Sequence, residues 1–376
     1  MDANVFLRGL DSLGVDFYTG VPDSLLQPLN DALFARHGLT APHVVAANEG
    51  GAVALAAGHT IATGKPAMVY LQNSGIGNAV NPVASLLHEQ VYGIPCVFVV
   101  GWRGEPGVKD EPQHAFQGAV TPQMLELLGL TVFVLDAQTG DEAFTEMLKV
   151  GSARMAQGQS IEFLTRKGGL TGERAAMPEP PYALAREEAI RALLDNAGAE
   201  DCFISTTGKA SRELYELRQA RGERHDRDFL TVGSMGHAGM IALGMALAKP
   251  ARTFWCLDGD GAALMHLGSL GVETQQRATN LIHVVLNNGA HESVGGMPVA
   301  GGGMRFAPVA HSLGFDAAYT AAGAEELAAL LPEMRAMQGK LRFLEILLRP
   351  GSRDDLGRPT QTPRENLQSL MQTLQK

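Results

Sequence analysis

Short apolar segments alternate with helical segments along the whole chain, and this alternation constrains the fold more than any other feature. Apolar strands separated by helices are typical of parallel sheets that are covered by helices on both faces. The pattern therefore predicts an α/β fold with two doubly wound, three-layer, parallel-sheet domains. The predicted strands are MVYL, CVFVV, TVFVL and IEFLT in the first half and CFIST, TFWCL, IHVVL and RFLEILL in the second.

The two halves of the chain follow one plan. Each has a helix rich in small residues, a Lys-Pro break, an apolar strand, a polar glycine loop, a helix and another apolar strand. Lys65-Pro66 matches Lys249-Pro250, and Gly75 matches Gly259, in both cases 184 residues apart. The plan indicates duplication of one α/β unit, or convergence on one.

The boundary between the halves is expected near a proline cluster formed by Pro178, Pro180 and Pro181. Prolines at this density end regular structure and are typical of linkers. We therefore expect an N-terminal domain over residues 1–172, a linker over 173–186 and a C-terminal domain over 187–376.

The composition excludes several classes of partner. The formal net charge of −10 at pH 7 argues against binding to nucleic acid or to an anionic membrane surface. No apolar run reaches the length of a membrane span, and the N-terminus does not have the pattern of a signal peptide. Cys96, Cys202 and Cys256 are expected to be reduced, buried thiols of a cytoplasmic protein.

Two predicted strands, TFWCL and IHVVL, run into glycines and short oxygen-bearing side chains. An α/β fold keeps its ligands at the carboxyl ends of its strands, and a glycine turn into a helix N-terminus favours a diphosphate. A carboxylate there would repel phosphate unless a hard cation such as Mg²⁺ bridged the two. Asp260 and the amide oxygen of Asn288 are therefore candidate metal ligands. In the alternative interpretation, Asp258 and Asp260 only cap a helix.

A dinucleotide site is the competing interpretation of a glycine loop. NSGIGNAV offers Gly75 and Gly77, but Val80 stands where a third Gly or Ala is needed. The acidic ribose partner expected about 20 residues later is also absent. The sequence therefore disfavours this class of site.

Gly259-Asp260-Gly261 followed by Asn287-Asn288 resembles the signature of the thiamine-diphosphate enzymes. The resemblance implies thiamine diphosphate and Mg²⁺ as cofactors, a pyrimidine-binding domain before a diphosphate-binding domain, and metal ligation by Asp260, Asn288 and the carbonyl of Ala290. The cofactor-binding residues that it implies in the second half are Thr206, Thr207, Gly208, Gly233, Met235, Gly259, Asp260, Gly261, Ala262 and Asn288.

Within that set the resemblance gives two residues particular tasks. Met235 would lie beneath the bent cofactor, and the carbonyl of Gly233 would accept from its 4′-amine. Met235 is equally consistent with ordinary core packing. The stretch ISTTGKASREL resembles the loop that covers the diphosphate.

Glu49 in VVAANEGGAVALAAG is the candidate acid of the first half. A glutamate in the first turn of a helix is favoured by the helix dipole, and this alone explains its presence. The resemblance instead implies that Glu49 hydrogen-bonds the aminopyrimidine ring of the cofactor and promotes its imino tautomer. Burial would suit that role, since desolvation raises the pKa of a carboxylate.

Four stretches are similar to the phosphonopyruvate decarboxylases of this family: YTGVPDSLL, LQNSGIGNAVNP, GWRGEPGVKDEPQH and NNGAHESVGGMP. The tail LGRPTQTPRENL is similar as well, and the short linker leaves no room for a third domain. This implies decarboxylation of the 2-keto acid phosphonopyruvate in phosphonate biosynthesis. Glu292 stands where the resemblance leads us to expect Asp.

Three alternatives remain open at this point. A sulfopyruvate decarboxylase would follow the same steps with a sulfonate substrate. A carboligase would need room for a second keto acid and often a flavin-holding domain, for which the chain has no segment. A regulatory module that binds metal and nucleotide would keep the glycine loop but would not need Glu49.

By resemblance, Asp23 in GVPDS and His114 in DEPQHAFQG face the thiazolium and are the candidates for a proton relay. Asp23 can instead cap the helix that begins at SLLQPL. His114 can instead be an exposed loop histidine.

Arg103, Lys109 and His114 are the candidates for binding the phosphonate. A group of charge about −2 on an acidic protein needs local cations, and Arg binds such oxygens in a bidentate manner. In the alternative, both cations pair with the acidic residues of the same loop, Glu105, Asp110 and Glu111. Arg305 in GGGMRF is the next candidate for the phosphonate.

The resemblance also implies a homodimer or a higher homo-oligomer with the active site at the subunit interface. Glu49 of one chain would lie over the Gly-Asp-Gly loop of another. The small-residue run GGAVALAAG permits the close helix contact that this requires.

Overall fold

The chain divides into two compact units in a computed structural model that describes residues 1–178 and 180–375. The first unit consists of Met1–Met177 with Val294–Ala300. The second consists of Pro178–Ser293 and the residues from Gly301 onwards.

The first unit is built on one parallel sheet. Its strands are β1 Tyr18–Gly20, β2 His43–Val45, β3 Ala67–Gln72, β4 Cys96–Gly101, β5 Thr131–Leu135 and β6 Ile161–Thr165. They lie in the order β2-β1-β3-β4-β6-β5. The four longer strands are those predicted from the sequence. The two three-residue strands were not predicted, because so short a run carries no periodicity of its own.

Helices cover both faces of this sheet. They are α1 Ala3–Ser12, α2 Gln27–His37, α3 Glu49–Thr63, α4 Ile76–Pro82, α5 Pro112–Leu127 and α6 Asp141–Met155, with a 3₁₀ turn at Asn73–Gly75 and a π turn at Val83–Leu87. On β4, Phe98 packs into one core cluster while Val97 and Val99 pack into another. A strand buried on both faces must be apolar throughout, so the predicted three-layer arrangement is confirmed.

The second unit has a second parallel sheet. The later strands of the chain are β7 Cys202–Ser205, β8 Asp228–Leu230, β9 Phe254–Gly259, β10 Leu281–Asn287, β11 Ala290–His291, β12 Met297–Pro298, β13 Ala317–Ala321 and β14 Arg342–Leu347. The sheet order is β13-β14-β10-β9-β7-β8. The later helices are α7 Arg186–Asn196, α8 Lys209–Ala220, α9 Ala238–Ala248, α10 Asp260–Met265, α11 Ser269–Gln276, α12 Phe306–Leu313, α13 Ala324–Ala336 and α14 Pro363–Leu374, and a 3₁₀ turn lies at Glu292–Val294.

Both sheets have the same topology. Numbered in chain order within each sheet, both read 2-1-3-4-6-5. This agrees with the common plan of the two halves. The matched glycines Gly75 and Gly259 do not lie at equivalent positions relative to their strands, however. The reason is that β3 begins directly after Pro66, whereas β9 begins only at Phe254, several residues after Pro250. Gly75 therefore lies beyond β3, while Gly259 is the last residue of β9.

The segment GDGAALMHLGSL, expected to open a single helix, forms two short ones. The first, α10, ends at Met265, where His266 leaves the helical conformation with φ −132° and ψ 46°. The second begins after Gly268. Among the described residues, none of the helices is long and apolar enough to cross a membrane, and the three cysteines are buried and free.

Candidate active site

Most predicted site residues follow the carboxyl ends of parallel strands. Asp23 follows β1 and Arg103 follows β4 in the first unit, while Thr206 follows β7 and Asp260 follows β9 in the second. Asn288 follows β10, the direct neighbour of β9 in the sheet. This is the edge at which α/β folds bind ligands, because strand ends and helix N-termini meet there.

Glu49 is the first residue of α3, and its side chain is buried. Its Oε2 accepts a hydrogen bond of 2.7 Å from Nδ2 of Asn78 on α4. Burial raises the pKa of Glu49, and the hydrogen bond from Asn78 opposes that shift. The helix is capped by Asn48, whose side chain accepts from the Gly51 N–H at 2.8 Å. Glu49 is thus a first-turn residue of α3, a position at which the helix dipole alone favours an acid.

Gly75 makes the space that Glu49 occupies. A Cβ at Gly75 would overlap the Glu49 carboxylate, whereas a Cβ at Gly77 would meet nothing within 4 Å. The stretch NSGIGNAV thus supports a carboxylate rather than a dinucleotide. The roles of Asn78 and Gly75 were missed in the sequence, because they depend on the packing of α4 against α3.

Arg103 makes a bidentate ion pair with Asp110. Its Nε donates to Oδ2 at 2.8 Å and its Nη2 to Oδ1 at 2.5 Å. Nη1 donates to Ser24 Oγ at 3.0 Å. Burial of Asp110 opposes ionisation, but the guanidinium and the N–H groups of Gly104 and Glu111 outweigh it and lower the pKa of that carboxyl. The pairing considered as an alternative for Arg103 is therefore present.

The Arg103 guanidinium nevertheless has N–H groups that take part in neither the ion pair with Asp110 nor the hydrogen bond to Ser24. Nη1 and Nη2 each carry a second N–H for which the described part of the chain supplies no acceptor. The backbone of Arg103 is fixed by Asn73, whose Nδ2 donates to the Arg103 carbonyl at 2.8 Å and whose Oδ1 accepts from its N–H at 3.2 Å. Asn73 is another site residue that sequence reasoning missed.

Asp23 is fully buried next to this arginine. Burial raises its pKa to about 6, and the positive charge of Arg103 partly opposes the shift. Oδ2 accepts from the Leu25 N–H at 2.9 Å, while Oδ1 has no hydrogen-bond partner among the described residues. Leu26, not Asp23, is the N-cap of α2. A Cβ at Gly101 would overlap the Asp23 carboxylate, so glycine is required there.

His114 lies in the first turn of α5 and is buried, so the exposed-loop interpretation is wrong. Its Nδ1 is buried without a hydrogen-bond partner in the described ranges. Burial, followed by the charge of Arg103, lowers its pKa. The structure thus brings Asp23, Arg103 and His114 into one cluster. Lys109 is exposed on the loop and stays outside it.

In the second unit, Asp260 and the Asn287–Ala290 turn lie in contact. Oδ2 of Asp260 accepts from the Gly289 N–H at 2.7 Å, and Oδ1 accepts from the Gly261 N–H at 2.9 Å. Oδ1 of Asn288 accepts from the Ala290 N–H at 3.2 Å. The Asp260 carboxylate and the turn that carries Asn288 and Ala290 therefore lie together at one strand edge.

These residues fit a hard divalent cation. Burial raises the pKa of Asp260 to about 7, and the nearby charge of Asp258 adds to the shift. An all-oxygen donor set is what Mg²⁺ prefers. A bound cation would compensate the buried charge that the protein itself leaves unpaired.

The loop after β7 is held firmly against the loop after β8. Thr207 Oγ1 accepts from the Gly233 N–H at 3.0 Å. Ser211 Oγ donates to the Thr206 carbonyl at 2.7 Å. Gly208 (φ 97°) and Gly233 (φ 68°) adopt positive φ values that favour glycine. The chain then enters α8 with backbone N–H groups available for an anion.

Met235 lies half-buried in the same loop after β8. Its neighbour Ser234 has a positive φ of 46°, which is uncommon for a residue with a side chain. A Cβ at Gly236 would lie 3.0 Å from the Ala262 carbonyl, so this loop packs on α10. The structure therefore brings the predicted residues of the second unit together around Gly259–Ala262.

Glu292 holds the centre of an ion network beside Asn288. Its Oε2 accepts from Arg186 Nη1 at 2.6 Å and from Asn288 Nδ2 at 3.0 Å, and its Oε1 accepts from Lys209 Nζ at 2.9 Å. Arg186 also pairs with Glu213 at 2.7 and 2.8 Å. The sequence marked Glu292 only as an unexpected residue, since its partners are far away along the chain.

Comparison with known proteins shows a family match in each half of the chain. Residues 3–125 match the family model described as thiamine pyrophosphate enzyme, N-terminal TPP binding domain. Residues 206–346 match the model described as thiamine pyrophosphate enzyme, C-terminal TPP binding domain.

Three curated relatives cover most of the chain. Phosphonopyruvate decarboxylase from Streptomyces viridochromogenes is 35% identical, over 96% of this chain and 91% of that protein. Phosphonopyruvate decarboxylase from Streptomyces hygroscopicus is also 35% identical, over 97% of this chain and 92% of that protein. Sulfopyruvate decarboxylase from Methanosarcina acetivorans is 27% identical, over 89% and 88%.

Proposed function

The chain belongs to the thiamine pyrophosphate enzymes, and from this premise we propose that it decarboxylates 3-phosphonopyruvate to phosphonoacetaldehyde and CO₂, as a step of phosphonate biosynthesis. The observation that carries the choice of substrate is Arg103, a half-buried guanidinium with unused donors beside two buried acid–base groups. The higher identity of the two phosphonopyruvate decarboxylases supports the same choice.

Thiamine diphosphate, when bound, supplies a carbanion that attacks the keto carbon and an electron sink for the pair released with CO₂. Asp260, Asn288 and the carbonyl of Ala290 would hold Mg²⁺ against its diphosphate. The loops Thr206–Gly208 and Gly259–Ala262 would surround the diphosphate, with Gly233 and Met235 alongside.

Glu49 would hold the proton that activates the cofactor. Its carboxylate is buried, its pKa is raised, and Asn78 occupies only Oε2. A buried carboxyl with a raised pKa holds a proton more readily than an ordinary glutamate, which suits a general acid–base group.

Asp23 and His114 would move the proton that the product acquires after CO₂ leaves. Each has a buried polar atom without a partner in the described chain, and each is influenced by Arg103. A pKa of about 6 for Asp23 suits a carboxyl that changes protonation state near neutral pH.

Arg103 would bind the phosphonate through the N–H groups that Asp110 and Ser24 leave unused. Asp110 fixes the plane of the guanidinium, so little side-chain entropy remains to be lost on binding. His114 lies beside the guanidinium and would complete the pocket. Lys109 would add charge at the rim, since it is exposed on the same loop.

We further propose a cytoplasmic homodimer, or a larger homo-oligomer, in which Glu49 of one chain serves the Asp260 site of another. The support is the family resemblance together with the small residues along α3, of which Gly58 has nothing within 4 Å of an added Cβ.

Sulfopyruvate is the second candidate substrate, favoured by the relative from Methanosarcina acetivorans. A sulfonate carries one negative charge where a phosphonate carries about two. The deciding experiment measures CO₂ release from phosphonopyruvate, sulfopyruvate and pyruvate with added thiamine diphosphate and Mg²⁺, and identifies the phosphonate product by phosphorus NMR. A kcat/KM for sulfopyruvate above that for phosphonopyruvate would overturn the proposed substrate.

A further inference from the structure

We propose that Glu292 is a positioning residue that fixes the orientation of the Asn288 side-chain amide and so presents its oxygen, rather than its nitrogen, to the metal. This inference rests on the metal site of the proposed function. It concerns a residue that does not itself reach the metal in the proposed arrangement.

An asparagine amide is ambiguous as a metal ligand. Its oxygen and its NH₂ group have nearly the same shape, and a flip of the amide exchanges a ligand for a pair of donors. The partners on each side therefore decide whether the residue binds a cation. For Asn288, Oδ1 accepts from the Ala290 N–H at 3.2 Å, a long hydrogen bond that holds the amide weakly.

Glu292 supplies the stronger constraint. Its ionised carboxylate can only accept, and its Oε2 lies 3.0 Å from Nδ2 of Asn288. A flipped amide would place Oδ1 against this carboxylate, oxygen to oxygen. The orientation with Oδ1 directed away from Glu292 is therefore the favoured one.

The carboxylate is itself locked in place. Arg186 at 2.6 Å and Lys209 at 2.9 Å hold its two oxygens, and Glu213 holds Arg186 from the other side. The ion pairs with these two cations keep the side chain charged. The arrangement corresponds to the outer partners that orient metal ligands in characterised metal sites.

The network also occupies Lys209, the first residue of α8 after the Thr206–Gly208 loop. Its amine is paired with Glu292.

The test is direct calorimetric titration of Mg²⁺ into the protein with thiamine diphosphate present. Glu292→Gln should weaken Mg²⁺ binding about 10–100-fold, the usual effect of losing an outer partner of a metal ligand. Saturating Mg²⁺ should restore most of kcat, since the metal ligand itself remains. Unchanged Mg²⁺ affinity in this variant would overturn the proposal.

Glu213→Gln is the matched control, since it weakens the same buried ion network without contacting Asn288. It should lower the melting temperature and leave the Mg²⁺ dissociation constant within about threefold of wild type. If both variants lose Mg²⁺ affinity in proportion to their loss of stability, Glu292 is only structural.

If Glu292→Gln folds poorly, the same substitution can be tested in a variant that carries Asn288→Asp. Asn288→Asp provides oxygen on both sides of the side chain, so orientation no longer matters. Adding Glu292→Gln to Asn288→Asp should then cost less than about twofold in Mg²⁺ affinity. If Glu292→Gln lowers Mg²⁺ affinity as much in the Asn288→Asp variant as in the wild-type protein, the inference is contradicted. If wild type shows no Mg²⁺-dependent binding, the metal site itself fails instead.

Discussion

The carboxylate of Glu49, at the start of α3, accepts a 2.7 Å hydrogen bond from the amide of Asn78 on α4. Gly75, just before α4, leaves the space in which the same carboxylate lies. The position of the candidate acid thus depends on two residues, Asn78 and Gly75, that belong to a different segment of the chain.

Replacement of Gly75 by Ala should therefore displace the Glu49 carboxylate while residue 49 itself stays a glutamate. The new Cβ would overlap the carboxylate and push it off Asn78, and deuterium exchange at C2 of bound thiamine diphosphate should slow by at least about tenfold. Gly77→Ala is the control, since a Cβ there meets nothing within 4 Å. Equal exchange rates in the two variants would show that the Glu49 position is unimportant.

Glu49→Gln keeps the shape of the side chain and removes the exchangeable proton. It should bind thiamine diphosphate with near wild-type affinity and lose C2 proton exchange by about 10²–10⁴-fold, the usual contribution of a general acid–base group. Exchange by NMR and affinity by calorimetry separate the two properties. Exchange at the wild-type rate would make Glu49 a structural residue.

Metal binding should release a proton in mildly acidic solution. Burial raises the pKa of Asp260 to about 7, so at pH 6 the unliganded carboxyl is mostly protonated, whereas Mg²⁺ requires the ionised form. Mg²⁺ affinity should therefore increase with pH up to about 7 and then level off. Calorimetry in buffers of different ionisation enthalpy counts the protons released, and Asp260→Asn should release none.

The raised pKa of Asp260 also determines how the stability of the folded protein changes with pH. The pKa of Asp260 is higher in the folded state than its ordinary value of 3.8. The stability that protonated Asp260 gives to the folded state is therefore fully present below pH 3.8 and is lost as the pH rises through about 7. The metal-free protein should thus lose stability over that range in comparison with Asp260→Asn, as thermal melts at a series of pH values would measure. A difference between the two proteins that does not change with pH would contradict the shift.

Arg103→Ala should lower kcat/KM for phosphonopyruvate. The ratio of the two kcat/KM values should correspond to a loss of at least about 1.5–3 kcal/mol of transition-state stabilisation, the range for hydrogen bonds to a charged group. Thiamine-diphosphate affinity should stay nearly unchanged. Arg103→Lys should recover little, because a single ammonium cannot pair with Asp110 and a phosphonate in the same geometry. Arg166→Ala is a control in the same unit, since Arg166 pairs with Glu105 and Asp136. If Arg103→Ala and Lys109→Ala both keep wild-type kcat/KM, Arg305 becomes the candidate.

Subunit mixing tests the proposed shared site. A Glu49→Gln protein and an Asp260→Ala protein should each be inactive, and a mixture should regain activity, since one interface would carry both intact residues. At complete exchange of a dimer, about half the chains are in mixed pairs, so recovery should approach one quarter of the wild-type rate. Absence of recovery after demonstrated exchange would count against a shared site.

Several parts of the fold and site could be predicted from local pattern alone. Strands such as β4 are apolar at every position because both faces are covered, and this identifies them in the sequence. The ends of β9 and β10 show polar residues after apolar runs, so Asp260 and Asn288 were recognisable before their proximity was known. Strands as short as β1 and β8 carried no comparable signal.

What the sequence by itself determined is the class of fold and the chemical identity of the groups at the strand ends, since both follow from burial patterns and residue types that are local in the chain. Only the tertiary structure decided how those groups are held. Asn78 on Glu49, Asp110 on Arg103 and Glu292 on Asn288 are contacts between side chains, and each is fixed by the packing of helices and loops. A hydrogen bond depends on distance and direction to within fractions of an ångström, and such geometry exists only after the chain has packed.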